Sequence, residues 1–310
     1  MNRPGALHNI AVYPAFSSGT DAVVAAAPAK LNLFLEVLRK RSDGYHDLES
    51  LMVAVDLFDT LEVRPATAGV ISLTCDPPGL SPGPDNLVVK AAMVLRDHVK
   101  RPDLGASLRL TKRIPTQAGL GGGSSDAAVT LLVLNEIWKL ALTRDELAGM
   151  GAAIGSDVPF FLTPPAAWCT GLGEVVAAES IGRPLDFVLA CPPVGLKTAD
   201  VYRTVAVPAK PVNGENVRAA VRAGDPAAVG RAMFNRLEEP AFALAPQVKQ
   251  TRDRLAALGG FGARMTGSGS AVFAVCRSKE EANRVAVALR DSRPLDEAES
   301  RVFVVRSLAP

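Results

Sequence analysis

The chain has 310 residues, which is too long for one ordinary hydrophobic core and predicts two domains. Its 48% hydrophobic and 21% charged residues are typical of a soluble globular protein, and its apolar runs are shorter than the ~20 residues that span a bilayer, so we expect no membrane partner. The net charge of +2 comes from 34 basic and 32 acidic residues with no run of like charge, which disfavours a nucleic-acid partner.

The first predicted strand follows an N-terminal extension. Residues 1–22 have neither a helical nor an alternating pattern, and we expect them to form a flexible extension. Residues 23–37 alternate in polarity, which predicts a strand. Lys30 and Asn32 share one face of this strand, roughly 6.6 Å apart along it.

The next segments predict a hairpin and then a helix. Asp43-Gly44 is a strong turn signal. The run "LMVAVDLFDTLEV" at 51–63 predicts a strand, a turn and a second strand, whereas residues 86–99 have helical spacing. Residues 106–114 alternate again and lead into the glycine-rich run "GLGGGSSD".

Two helices are predicted after the glycines. The first begins with Ser124 or Ser125 as its cap and ends near Leu140. The second has Thr143 and Glu146 in the spacing of a capping box and ends at Gly155.

The second half begins a new series of strands and helices. A hairpin is predicted about Gly171–Gly173, and a boundary between two α+β domains is predicted near Glu179. The later predicted elements are a strand at 185–193, helices around 226–236 and 246–258, a strand at 271–276, a helix at 279–291 and a strand at 301–308.

The glycine run predicts a phosphate-binding loop. Glycines let backbone N–H groups approach an anion closely, and a helix that starts there adds its unpaired amides. Ser124 and Ser125 add hydroxyl donors or reach a metal ion held by the phosphates, and the apolar residues that follow anchor the loop. No lysine follows the glycines as in a P-loop, and Ser124 stands where the GxGxxG fingerprint needs its third glycine. A dinucleotide oxidoreductase is therefore disfavoured.

Cysteine and histidine usage bears on metal binding and on the cellular compartment. The four cysteines are far apart with no CxxC spacing, and the chain has only three histidines. This pattern predicts reduced thiols in a cytoplasmic protein without disulfides or a multi-histidine metal centre. No signal-peptide pattern opens the sequence.

Three ordered segments carry a family resemblance. "PTQAGLGGGSSDAA" at 115–128 resembles the central motif of the GHMP kinases, "APAKLNLFLEV" at 27–37 the first motif, and "GARMTGSGSAVFAV" at 262–275 the third. Within that superfamily, the runs from residue 29 through "DGYH" to 51, "DNLVVKA" and "GSDVPFFL" are similar to the 4-diphosphocytidyl-2-C-methyl-D-erythritol kinases of non-mevalonate isoprenoid biosynthesis. The resemblance covers nearly everything from residue 25 onward.

The resemblance implies a fold and a division of the chain. The fold is the two-domain α+β GHMP kinase fold, with an N-terminal domain like the second domain of ribosomal protein S5 and a ferredoxin-like C-terminal domain. We therefore expect an ATP-binding domain at 23–178 and a substrate-side domain at 179–310, with the active site in the cleft between them.

The resemblance also implies the reaction and its catalytic residues. ATP would donate its γ-phosphoryl group to the 2-hydroxyl of 4-(cytidine 5'-diphospho)-2-C-methyl-D-erythritol. Asp157 matches the catalytic aspartate that accepts the proton of the hydroxyl, and Lys30 would stabilise the negative charge. Mg²⁺ is expected on the ATP phosphates without a dedicated acidic cage.

The resemblance implies binding residues for the adenosine, for the ATP phosphates and for the acceptor. Asn86 is expected in the adenosine pocket. The residues expected around the ATP phosphates are Pro115, Ala118, Gly119, Leu120, Gly121, Gly122, Gly123, Ser124 and Ser125. The residues expected around the acceptor are Asn32, Tyr45, His46, Thr198, Tyr202, Gly267 and Ser268; the two tyrosines would enclose the cytosine and His46 would bind its edge.

Departures and alternatives remain open at this point. Thr116-Gln117, "TGLGE" at 170–174 and "FNRLE" at 234–238 differ from the family's usual residues, and these departures bear on acceptor binding rather than on the kinase assignment. Another GHMP kinase of mevalonate or homoserine type, or a sensor that binds ATP and a ligand without transfer, remains an alternative. The sequence gives no indication of oligomeric state.

Overall fold

The structure is a computed structural model that describes residues 17–18, 22–163, 165–292 and 300–309. Most of the predicted extension at 1–22 lies outside these described residues. None of the helices in this described part of the chain is both long and apolar enough to cross a membrane.

Strands form two sheets. In chain order, the described strands are β1 (Ser17–Ser18), β2 (Val23–Lys40), β3 (His46–Ala66), β4 (Ile71–Asp76), β5 (Gly105–Thr111), β6 (Ala166–Gly171), β7 (Val175–Ala178), β8 (Asp186–Cys191), β9 (Phe234–Asn235), β10 (Ala263–Met265), β11 (Val272–Cys276) and β12 (Arg301–Arg306). The large sheet has the order β1-β2-β3-β5-β4, with β6 and β7 added beside β3, and β9 beside β2. The small sheet is antiparallel, in the order β10-β11-β8-β12.

Helices cover both sheets. They are α1 (Leu87–His98), α2 (Gly122–Ile137), α3 (Arg144–Ile154), α4 (Thr198–Thr204), α5 (Glu215–Ala223), α6 (Pro226–Ala232), α7 (Glu238–Leu244), α8 (Pro246–Leu258) and α9 (Lys279–Asp291), with a 3₁₀ helix at Pro159–Leu162. Helices α1, α2 and α3 pack on one face of the large sheet, and the small sheet packs with α5 and α6 on the opposite face. Helices α8 and α9 cover the outer face of the small sheet. The architecture is the expected two-domain α+β fold.

One predicted turn is wrong. The run at 51–63 lies inside the single strand β3, where we expected a turn between two strands. Pro28 pairs with Phe58 while the next residue, Ala29, pairs with Val55, so Asp56 and Leu57 bulge out of the ladder. A β-bulge inserts unpaired residues and bends a strand without ending it.

Helix α2 begins earlier than predicted. Its N-cap is Gly121, in a left-handed conformation with φ +69°, and neither Ser124 nor Ser125 caps it. Both serines already lie in the first turn, since Ser125 N donates to Gly121 O at 2.9 Å. The helix is buried on all sides from Ser125 to Asn135, as its apolar sequence predicts, and it ends at Ile137.

Candidate functional site

A cleft of about 1300 Å³ opens where β2, the glycine loop and the turn before β11 meet. Every predicted site residue lines this cleft except Asn86 and Ser125. The predicted residues that line it are Lys30, Asn32, Tyr45, His46, Pro115, Ala118, Gly119, Leu120, Gly121, Gly122, Gly123, Ser124, Asp157, Thr198, Tyr202, Gly267 and Ser268.

The glycine loop needs glycine at Gly119 and Gly121 for two physical reasons. Both residues have positive φ, +74° and +69°, which side chains disfavour. A Cβ on Gly119 would lie 2.2 Å from Thr266 O, and one on Gly121 would lie 3.0 Å from Lys30 Cγ. The loop therefore lies against both β2 and the turn at 266–271 between β10 and β11, which we call the third-motif turn. It leads directly into the N-terminal amides of α2, which have no partners inside the helix.

Strand β2 brings the predicted catalytic lysine to the loop. Lys30 N donates to Leu120 O at 3.0 Å, and the buried Lys30 Nζ donates to Asn32 Oδ1 at 2.5 Å. Asn32 is held in turn by Ser50 Oγ, which accepts from its Nδ2 at 2.8 Å, and by Thr266 Oγ1, which accepts from its backbone N at 3.0 Å. Lys30 and Asn32 therefore lie on one face of β2, as the alternating sequence predicts.

The predicted catalytic aspartate lies next to that lysine. Asp157 Oδ2 is 3.5 Å from Lys30 Nζ, and the aspartate side chain is partly exposed to the cleft. Its position follows from helix α3, whose C-cap is Gly155, the predicted stop, and from the 3₁₀ helix that starts two residues after Asp157. A carboxylate, an ammonium and the glycine loop converge at one place, an arrangement that suits proton acceptance beside a developing negative charge.

Aromatic residues form the other end of the cleft. The His46 and Tyr202 rings lie with centroids 5.7 Å apart and a tilt of 32°, whereas Tyr45 is 64% exposed. Burial and the charge of Lys40 lower the pKa of His46, and burial raises the pKa of Tyr202. Both rings are therefore uncharged near neutral pH, and the exposed Tyr45 ring offers a flat apolar surface.

The remaining predicted acceptor residues join α4 to the third-motif turn. Thr198 Oγ1 and Ser268 Oγ are 2.9 Å apart, so they share a hydrogen bond. Both residues line the cleft, and so does Gly267 with φ +55°.

Asn86 and Ser125 are the predicted site residues that do not line the cleft. Asn86 is the N-cap of α1: its Oδ1 accepts from Val88 N at 3.0 Å and its Nδ2 donates to Ser81 O at 2.9 Å. Ser125 is fully buried, and its Oγ has no hydrogen-bond partner among the described residues. Leu87, the residue after Asn86, lines the cleft.

A buried ionic cluster lies below the first turn of α2. Lys112 Nζ contacts Asp59 and lies 2.7 Å from Asp126 Oδ2. A Cβ on Gly122 would be 3.1 Å from the same ammonium. Burial, with the negative charge of Asp59, raises the pKa of Asp126 to about 7 against the opposing effect of Lys112.

Several cleft residues were not predicted as site residues. Lys40 and Arg203 add positive charge at the aromatic end, and Gln117 lies beside the glycine loop with φ +54°. Glu174 lies in the "TGLGE" segment, which differs from the family's usual residues. Its carboxylate accepts from Leu172 N at 2.6 Å, and both residues line the cleft. In the sequence, only their position next to the quoted motifs could have identified them as cleft residues.

Family models match both halves of the chain. The model described as GHMP kinases N terminal domain matches residues 86–164, and the model described as GHMP kinases C terminal matches residues 217–294.

Similar proteins point in the same direction. The chain is 39% identical over 290 residues to a protein of Pelotomaculum thermopropionicum named 4-diphosphocytidyl-2-C-methyl-D-erythritol kinase, covering 93% of this chain and 99% of that protein. A crystal structure of 4-(cytidine 5'-diphospho)-2C-methyl-D-erythritol kinase superposes with a TM-score of 0.77 at 35% identity, covering 93% and 99% of the two chains. The homoserine kinase of Cytophaga hutchinsonii, with a TM-score of 0.70, 17% identity and coverage of 95% and 96%, shares the fold.

Proposed function

The chain belongs to the GHMP kinases and, within them, to the 4-diphosphocytidyl-2-C-methyl-D-erythritol kinases, and we propose that it transfers the γ-phosphoryl group of ATP to the 2-hydroxyl of 4-(cytidine 5'-diphospho)-2-C-methyl-D-erythritol. The products are ADP and the acceptor's 2-phosphate, in non-mevalonate isoprenoid precursor biosynthesis. The observation that carries the proposal is the Lys30–Asp157 pair, 3.5 Å apart, in one cleft with the glycine loop and the aromatic residues.

The triphosphate binds at the glycine loop. Backbone amides at the start of α2 point toward bound oxygens, and the positive end of the helix dipole favours their negative charge. Ser124, which lines the cleft, adds a hydroxyl donor. Because α2 is buried from Ser125 to Asn135, the helix that carries these donors is held in place before ATP arrives.

Asp157 accepts the proton of the acceptor's 2-hydroxyl as that oxygen attacks the γ-phosphorus. The bond between the γ-phosphorus and the bridging oxygen of the β-phosphate breaks, and ADP leaves with the electron pair. Lys30, with its ammonium 3.5 Å from Asp157, stabilises the charge that develops on the phosphoryl oxygens. Asn32 fixes the ammonium through the 2.5 Å hydrogen bond.

The cytosine binds at the aromatic end. The exposed Tyr45 ring offers a stacking face, and Tyr202 closes the opposite wall beside His46. A neutral imidazole has one donor and one acceptor, which suits the mixed edge of cytosine. The lowered pKa of His46 supports this state at neutral pH.

Magnesium accompanies ATP in this proposal. Among the described residues, no group of three or more His, Cys, Asp or Glu side chains is placed to hold a metal ion. The nucleotide's own phosphates would therefore supply most ligands, with the hydroxyl of Ser124 or the carboxylate of Asp157 as nearby oxygen donors. The bound ion would neutralise phosphate charge.

The division into an ATP-binding domain at 23–178 and a substrate-side domain at 179–310 is also a proposal. It is supported by the passage of the chain from β7, which ends at Ala178, to β8 of the small sheet. We also propose a reducing, cytoplasmic environment, which the four free cysteines support.

An acceptor panel tests the function. Purified protein is mixed with ATP, Mg²⁺ and the cytidyl acceptor, mevalonate or homoserine, and ADP release is followed in a coupled assay. We expect turnover with the cytidyl acceptor above the other two alcohols. Turnover only with mevalonate or homoserine would support the alternative kinase, and ATP binding without ADP release for any acceptor would support the sensor.

A further inference from the structure

A two-residue strand from the second half of the chain lies beside β2, the strand that carries Lys30 and that we call the catalytic strand. Strand β9 pairs parallel with β2, with Leu35 opposite Asn235. The next residue, Arg236, donates its backbone N to Leu35 O at 2.8 Å and its guanidinium to both carboxylate oxygens of the fully buried Glu36, each at 2.7 Å. This bidentate ion pair fixes β9 to the strand that carries Lys30.

Asn235 uses its whole side chain to hold other backbone segments. It is 4% exposed, and its Nδ2 donates to Met265 O at 2.7 Å and to Gly267 O at 2.9 Å. Its Oδ1 accepts from Leu237 N at 2.9 Å. The amide therefore spans the entry of the third-motif turn, and nothing in the proposed mechanism uses it directly.

The turn that Asn235 holds is in contact with the catalytic residues. A Cβ on Gly267 would lie 3.0 Å from Gly119 O and 3.2 Å from Lys30 Nζ. Thr266 Oγ1, between the two carbonyls that Asn235 binds, accepts from Asn32 N at 3.0 Å. A shift of this turn would move Lys30, Asn32 and the glycine loop relative to one another.

We propose that Asn235, which does not line the cleft, is a positioning residue for phosphoryl transfer, tying the catalytic strand to the turn at Gly267. The proposal rests on the proposed function, because it assumes that Lys30 and the glycine loop perform the transfer. The "FNRLE" segment, which differs from the family's usual residues, then has a physical role. Its Arg236 anchors β9, the strand from which Asn235 reaches the turn at Gly267.

The test compares two buried asparagines, each of which donates from Nδ2 to a backbone carbonyl oxygen and accepts a backbone N–H at Oδ1. Asn235→Asp keeps the shape but places a carboxylate oxygen against two carbonyls. Asn135, also buried, donates to Leu142 O at 3.2 Å and accepts from Leu142 N at 3.0 Å, away from the cleft, so Asn135→Asp is the matched control. For each variant we measure kcat with the cytidyl acceptor, the Kd of a non-hydrolysable ATP analogue by calorimetry, and Tm.

We expect Asn235→Asp to lower kcat about 100-fold, the effect of misplacing reacting groups by about 1 Å. Its Kd for the ATP analogue should stay near wild type, since the phosphate amides belong to α2. Asn135→Asp should lower Tm and leave kcat unchanged. If Asn235→Asp does not fold, Asn235→Ser, which keeps one donor, replaces it in the same comparison with a smaller expected loss of kcat.

When the wild-type protein is active, two results would overturn the proposal: a wild-type kcat in a folded Asn235 variant that has only lost thermal stability, or an equal loss of kcat in Asn135→Asp. A wild-type protein inactive with the cytidyl acceptor contradicts the proposed function instead. The comparison is then made with the acceptor from the panel that is phosphorylated, and absence of any phosphorylated acceptor overturns both proposals.

Discussion

Replacing Gly119 by alanine perturbs the phosphate loop at its most crowded point. The new Cβ would lie 2.2 Å from Thr266 O and 3.1 Å from Gly269 N, both backbone atoms. Real Cβ contacts under 3.0 Å essentially do not occur, so the glycine loop and the third-motif turn must separate by roughly 1 Å. The residue also keeps φ +74°, which costs a side chain about 1–2 kcal/mol.

These two effects predict losses of both activity and stability. A displacement of about 1 Å between reacting groups costs about 100-fold in rate, so kcat/KM for ATP should fall by about that factor. Backbone strain of about 1–2 kcal/mol should lower Tm by several degrees. Steady-state ADP release and thermal unfolding measure the two quantities separately.

Gly123→Ala is the matched control for the stability effect. Gly123 lies in the first turn of α2 without positive φ, and its Cβ would make an ordinary 3.5 Å contact with Leu87 Cδ1. Alanine in a helix is favoured over glycine by about 0.5–1 kcal/mol, so Tm should stay or rise. Wild-type Tm and kcat/KM in Gly119→Ala, or an equal loss of Tm in both variants, would refute the reasoning from loop packing.

Three further predictions concern the catalytic pair, the aromatic end and the buried ionic cluster. Asp157→Asn and Lys30→Ala should each lower kcat by a factor of about 10²–10³ while the circular dichroism spectrum stays native. Wild-type turnover in either variant would refute the catalytic role of the substituted residue. Tyr202→Ala should raise the KM of the cytidyl acceptor, since a stacked base contributes about 1–3 kcal/mol, and spare that of ATP; equal changes in both KM values would contradict base stacking. Asp126, with its pKa raised to about 7, binds a proton more tightly in the folded than in the unfolded protein, so its contribution to the free energy of unfolding falls as pH rises from about 4 to about 7. Asp126→Asn should remove that decrease in denaturant titrations across this pH range, and an unchanged pH dependence would contradict the assigned pKa.

Local patterns predicted the parts of the site that depend on neighbours in sequence. Alternation in β2 placed Lys30 and Asn32 on one face, and the capping-box spacing at Thr143 located the start of α3. Glycine's freedom at positive φ identified the loop, because few other residues tolerate the backbone found at Gly119 and Gly121.

Predictions failed where long-range packing decides the outcome. The turn expected within 51–63 is a bulge in β3, because pairing with β2 carries the strand through it. Ser125 is turned into the core because α2 begins at Gly122, earlier than its serines suggested. The contacts that Glu36 and Asn235 make with residues far away in the chain have no local signature at all.

The most direct test of the account is the identity of the product. Wild-type protein and Asp157→Asn are incubated with ATP, Mg²⁺ and 4-(cytidine 5'-diphospho)-2-C-methyl-D-erythritol, and the mixtures are analysed by mass spectrometry and phosphorus NMR. We predict that the wild type yields ADP and, in equal amount, an acceptor carrying one new phosphoryl group on its 2-hydroxyl, and that the variant yields almost none. ADP formed beside an unmodified acceptor, or a phosphoryl group on another oxygen, would contradict the account.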